Sequence, residues 1–129
     1  MQEKRISISK QIGEYTLEIH KRGEGQTFGI EYQISKNGEL FFALPATVKN
    51  GEAKFGNLEE IETQKRTETI KQLRLLFDFM DTTLPKIGVT HAKGTVHTQI
   101  WRLMKQKGAI ATPYNLKLMD VSKRYPRRR

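Results

Sequence analysis

The chain has 129 residues, with 23 Lys plus Arg against 14 Asp plus Glu and no cysteine. That length supports one domain with a modest core, and the lack of cysteine excludes a disulfide scaffold, thiolate catalysis and cysteine-ligated zinc or iron–sulfur sites. No stretch reaches the roughly 18 apolar residues of a membrane span, and residues 1–7 lead into no long apolar run, so no secretory leader is expected and the cytoplasm is the expected location.

In chain order, Ile6 and Ile8 suggest a first edge strand or a loose arm. Tyr15, Leu17 and Ile19 alternate with Thr16 and Glu18, the period of a half-buried strand. Phe28, Ile30, Tyr32 and Ile34 alternate without a fault, and Asn37-Gly38 follows as a hairpin turn. The returning strand starts at Leu40 and runs toward Val48, with a bulge or break at Pro45, which has no N–H for a ladder. Asn50-Gly51 repeats the turn signal before Ala53-Lys54-Phe55. Tight turns join antiparallel neighbours, so the sheet reads as a meander of three or four strands over about 6–56.

Leu58, Ile61, Ile70, Leu73, Phe77 and Met80 recur at helical spacing. Asn57 with Glu60 three residues on reads as a capping box, and Glu59, Glu60 and Glu62 suit the start of a helix. The main helix is therefore expected over about 58–81, stopped by Pro85. Residues 86–94 read as loop, with a short strand possible at Ile87 and Val89. A second helix is expected over about 95–107, ended by Gly108. Residues 122–129 read as a basic disordered tail. The fold class is thus α+β: an antiparallel meander of three or four strands packed on one long amphipathic helix, then a short helix and a tail. The domain is expected to span 1–121.

Charge points to function. Residues 1–85 hold 12 basic and 13 acidic side chains, while residues 86–129 hold 11 basic ones and only Asp120 as an acid. A cationic last third on a near-neutral domain is the pattern of a polyanion binder. The reading is a non-catalytic nucleic-acid-binding protein, holding phosphates with Lys93, Arg102, Lys105, Lys107, Lys117, Lys123, Arg124, Arg127, Arg128 and Arg129. Tyr125 and Trp101 would stack on bases of single-stranded DNA or RNA. The more ordinary role for Trp101 is to pack the second helix onto the domain.

Meander followed by helix is similar, in topology only and over roughly residues 12–80, to the small single-strand-binding coactivator-like proteins. No motif matches residue by residue. The likeness implies a homodimer through helix 58–80. A helix-turn-helix variant would instead turn Thr98, Gln99 and Arg102 toward a groove. The second reading is a protein-interaction or inhibitory module, or a structural subunit of a ribonucleoprotein or mobile-element machine. The third is a small metal-independent nuclease using His91 and His97 with Lys93 and Arg102. No metal-ligand motif, phosphate loop or dinucleotide fingerprint is present, so no cofactor, metal or catalytic residue is expected.

Overall fold

The computed structural model describes residues 5–23, 25–104 and 108–126. The strands are β1 (Arg5–Ile12), β2 (Tyr15–Arg22), β3 (Thr27–Lys36), β4 (Glu39–Lys49), β5 (Glu52–Phe55), β6 (Glu59–Glu60), β7 (His91–His97), β8 (Ala109–Pro113) and β9 (Leu118–Arg124). The helices are α1 (Arg66–Thr83), after β6, and α2 (Thr98–Met104), after β7. A short 3₁₀ turn (Pro85–Ile87) follows α1 and ends at Gly88, whose φ of 89° is left-handed. Among the described residues there is one nine-stranded sheet, ordered β1-β2-β3-β4-β5-β7-β9-β8, with β6 on the edge of β4.

The meander forms as its alternation dictates. Leu17, Ile19, Ile30, Tyr32 and Ile34 are buried on one face, with half-exposed Glu18, Glu31 and Gln33 on the other. Asn37 and Asn50 both take left-handed φ of 51° ahead of their glycines, the conformation that tight hairpins require. Pro45 stays in β4, and the ladder bulges beside it. Ala46 pairs with Phe55 and Ala43 with Glu59, so Leu44 and Pro45 face three residues, Gly56, Asn57 and Leu58.

Both helices lie on one face of the sheet. Leu73, Leu76, Phe79 and Met80 of α1 bury against the meander. The Tyr32 ring stands edge-on to Phe79 with centroids 5.9 Å apart, and its hydroxyl meets Thr83 Oγ1 at 2.6 Å. The first turn of α1 is tied down by Glu68, which accepts from the Tyr15 hydroxyl and pairs with Lys36 Nζ at 3.1 Å. Burial, followed by the Glu68 bond, pushes the Tyr15 phenol up to about 12. The Tyr15 bond, opposed in part by burial, holds the Glu68 carboxyl below its usual value.

The α+β class stands, with a long helix on a mixed sheet, but four features differ from expectation. The sheet has nine strands, because the cationic last third also folds as sheet. The helix begins at Arg66 instead of 58; residues 59–60 pair with Phe42 and Ala43 of β4, and this tertiary ladder outweighs the local helical pattern and the Asn57 box. Residues 95–97 belong to β7, so α2 is shorter than 95–107. Ser122, Lys123 and Arg124, assigned to a disordered tail, close the ladder of β9 with β7 and β8. Residues 105–107 and 127–129 lie outside the described residues.

Candidate functional site

The sheet splits where its one parallel pair ends. β5 and β7 are joined at Glu52–His91, Ala53–Ala92 and Lys54–Lys93. Beyond that row β7 stays with β9, from Gly94–Val121 to His97–Leu118. The chain after Phe55 instead bulges and stays with β4. Two strand edges therefore diverge, one at residues 55–58 and the other at residues 94–97, with no strand between them among the described residues.

Over this split lies a cleft of about 660 Å³, roofed by the N-terminal half of α1 through Arg66, Thr69, Ile70 and Leu73. Its walls are mainly apolar, with Leu58, Phe77, Val96 and Ile100 among them, and Asn57, Glu60, Thr95 and His97 add polar groups. Phe55 and Gly94 meet at its floor. A Cβ on Gly94 would lie 3.1 Å from Phe55 Cβ, so a larger residue here requires Phe55 to give by a few tenths of an ångström.

The root of the split is clamped by charge. Glu52 holds Lys93 Nζ at 2.9 Å and His91 Nδ1 at 3.3 Å, linking β5 to β7. The Lys93 hydrogen bond is the main reason its carboxyl lies below the ordinary value. At the other end, α1 starts after Lys65, which makes no side-chain cap bond. The first amides of α1 thus lack a side-chain partner at the cap, next to Arg66 in the cleft lining, an arrangement that favours an anion.

His97 ends β7 in the cleft lining, and its Nδ1 accepts the N–H of Gln99 at 3.3 Å. A neutral ring accepting at Nδ1 carries its proton on Nε2 and so presents a donor.

Of the residues predicted to form one cationic groove, Lys93, Lys123 and Tyr125 line the cleft, while Arg102, Lys117 and Arg124 lie outside its lining. Lys93 and Arg124 are exposed on the face away from the helices; Lys123 lies on the helix face, paired with Asp81 at 3.0 Å. Tyr125 is docked on α1, its hydroxyl donating to Asp81 Oδ1 at 2.8 Å and its ring under Lys123, so it is not free to stack on a base. Burial, then the Asp81 bond, pushes its phenol far above the ordinary range. Lys117 sits in the exposed β8–β9 connection, Arg102 is exposed on α2 and Trp101 is half-buried there. Lys105, Lys107, Arg127, Arg128 and Arg129 lie outside the described residues.

His91 and His97 lie at opposite ends of β7, about 20 Å apart at the rise of a strand, so they serve no common site. Among the described residues no cluster of three metal-ligating side chains occurs. Beside Lys93, Lys123 and Tyr125 in the cleft lining, Arg66 and Gly94 were not singled out from the sequence, Phe55 was read only as strand, and Asn57 and Glu60 only as a helix cap. Their signal was the strand–helix–strand order of residues 52–97, which implies a parallel pair across a helical connection.

No protein-family model and no curated protein matches the chain. Among solved structures it is similar to the ribosomal-protein-S18-alanine N-acetyltransferase of Escherichia coli, with a TM-score of 0.59 and 16% identity over 79% of this chain and 71% of that one. It is also similar to the Campylobacter jejuni N-acetyltransferase PseH, at TM-score 0.53 and 12% identity, covering 76% and 69% of the two chains. A third is the PaiA N-acetyltransferase of Thermoplasma acidophilum in complex with coenzyme A, at TM-score 0.52 and 14% identity, covering 75% and 61%. The chain therefore has the fold of the N-acetyltransferases.

These findings overturn the reading of a non-catalytic DNA- or RNA-binding protein. The chain shares its fold with three N-acetyltransferases, the cations divide between two faces of the sheet, and Tyr125 is engaged by Asp81. The nucleic-acid partner and the homodimer through helix 58–80 fall with it: residues 58–65 are not helical, and Leu73, Leu76, Phe79 and Met80 of α1 pack on this chain's own sheet. No helix among the described residues is long and apolar enough to cross a membrane.

Proposed function

We propose that the chain is an acyltransferase, taking an acyl group from a coenzyme A thioester held in the cleft and passing it to an amine. The observation that carries this reading is the split after the β5–β7 pair, which leaves two extended edges under the start of α1. A thioester of coenzyme A supplies an activated acyl group on a long arm with two amides and a diphosphate. The edges at residues 55–58 and 94–97 suit those amides, because each offers backbone donors and acceptors without a neighbouring strand. Leu58, Ile70 and Phe77 suit the methylene part of the arm. Arg66 and the first amides of α1 suit the diphosphate. Residues 61–65 contain no glycine, so the approach to the phosphates rests on the helix end and Arg66.

Two groups in the lining suit the chemistry. Glu60 is the carboxylate there, and we assign it the proton of the attacking amine. His97, with its proton on Nε2, is the donor for developing negative charge on oxygen or sulfur.

The test is a melting curve with coenzyme A and acetyl-coenzyme A, paired with thiol release in the presence of amines. A ligand at a hundred times its Kd stabilises by about 2.7 kcal/mol, and R66E should remove most of that gain. A melting temperature that ignores millimolar coenzyme A would rule the proposal out.

A further inference from the structure

The sheet's other face carries no helix among the described residues, and the pairing registers order it into rows. One row runs Lys49, Glu52, His91, Arg124; the next runs Thr47, Lys54, Lys93, Ser122, Ile110; a third holds Thr95, Asp120 and Thr112. Directly paired residues share a face, so these side chains project together. Lys49, Lys54, Lys93 and Arg124 are all exposed. The two acids are occupied, Glu52 by Lys93 and His91, and Asp120 by the hydroxyl of Thr95 at 3.2 Å. Lys49, Lys54 and Arg124 have no side-chain partner among the described residues.

Behind this patch lies a second basin of about 410 Å³. It shares Phe55, Lys93, Gly94, Thr95 and Val121 with the donor cleft, so the two depressions lie back to back at the split, with the Phe55–Gly94 contact between them. Lys54, Asp120 and Thr112 line the basin alone.

We infer that the acyl acceptor is an amine on an acidic polypeptide segment laid across this uncovered face, its carboxylates on Lys49, Lys54 and Arg124 and its amine reaching past Asp120 into the gap. The inference rests on the acyltransfer reading above. The amine nitrogen forms a bond to the acyl carbon as the carbon–sulfur bond breaks; the nitrogen gives up one proton and the departing sulfur takes one. An open face with no covering layer suits an extended chain better than a small molecule, which needs enclosure. Polypeptides carry aliphatic amines, whereas nucleic acids do not. No Phe, Tyr or Trp stands in the three rows to stack on a base.

The experiment uses the full chain and fluorescent peptides of equal length with free N-termini, one rich in Asp and Glu, one of Gly and Ser, one rich in Lys, beside a single-stranded oligonucleotide. Anisotropy is read across a salt series, and melting with acetyl-coenzyme A is read on the same samples. The acidic peptide should bind best and weaken with salt, and K49E/K54E should weaken it by about tenfold. The same variant should keep its melting shift with acetyl-coenzyme A, since neither lysine lines the donor cleft. Equal binding of neutral or Lys-rich peptide, tighter binding of the oligonucleotide, or indifference to K49E/K54E would overturn the inference while leaving donor binding intact. Acidic-peptide binding without any coenzyme A shift would instead overturn the transfer reading on which it rests.

Discussion

The meander of β2–β4 and the split half of β5–β9 are built from the same chain by different means. In the meander, neighbours in sequence are neighbours in space. Its strands pair along their full length, and Leu17, Ile19, Tyr32 and Ile34 are completely buried. In the split half, β5 meets β7 across 35 intervening residues, for three rows only, and the join is reinforced by the Glu52–Lys93 ion pair and the Glu52–His91 hydrogen bond at half-exposed groups. Few of its residues reach the core. Ile110 is 67% exposed, and Val96 and Val121 face the cleft. A continuous ladder closes a surface, whereas an interrupted one leaves backbone and side chains free to meet a ligand. The rigid half supports the half that is open.

The comparison can be broken most directly by removing volume from each side. Ile34→Ala should cost about 3 kcal/mol, in the range for buried large-to-small changes. Val96→Ala should cost less than about 1 kcal/mol, because Val96 is only partly covered. Denaturant midpoints at unchanged m-value decide this, and equal losses would mean that the split half is packed as tightly as the meander.

Gly94→Ala tests the contact between the two depressions. The new methyl would press on Phe55 Cβ, and overpacking of this kind costs about 1–3 kcal/mol. Coenzyme A affinity should fall with it. Unchanged melting and unchanged affinity would show that Phe55 yields freely and forms no floor.

A smaller effect belongs to the end of the chain. Tyr125→Phe removes the hydroxyl bond to Asp81 and should cost about 1 kcal/mol, leaving the fold otherwise intact because Lys123 still holds Asp81. A Tyr125→Phe protein as stable as the parent would mean that Tyr125 is held by its ring alone.

The smallest effect is on pH dependence. Glu52 has a folded pKa below its usual 4.5, mainly through Lys93. Its contribution is complete above that usual value and fades as pH falls through the lower folded one. Glu52→Gln should therefore lower stability slightly above about pH 4.5, where the contribution is complete, leave it nearly unchanged at low pH, and so flatten the acid limb. An acid limb identical in the two proteins would show that the clamp at the root of the split contributes nothing.

These differences follow what could be read beforehand. The strands around Tyr15–Ile19 and Phe28–Ile34 and both Asn-Gly turns were legible, because alternation and turn chemistry act over a few residues. The helix from Ile70 to Met80 was legible for the same reason. Its first eight expected residues were not: Glu59 and Glu60 suit a helix start equally well, and only the free edge of β4 draws them into a ladder. Lys123, Arg124 and Tyr125 read as tail because their partners, His91, Ala92 and Asp81, lie more than thirty residues away.

By itself the sequence determined the class of the fold, the meander, its turns and the apolar stripe of α1, since each depends on short-range period and backbone preference. Only the tertiary structure decided that β5 returns parallel to β7, that the cationic last third divides between two faces, and that a cleft opens where the pair ends. Parallel pairing carries no local signature. It is settled by which edges remain unpaired once the meander and its helix have packed.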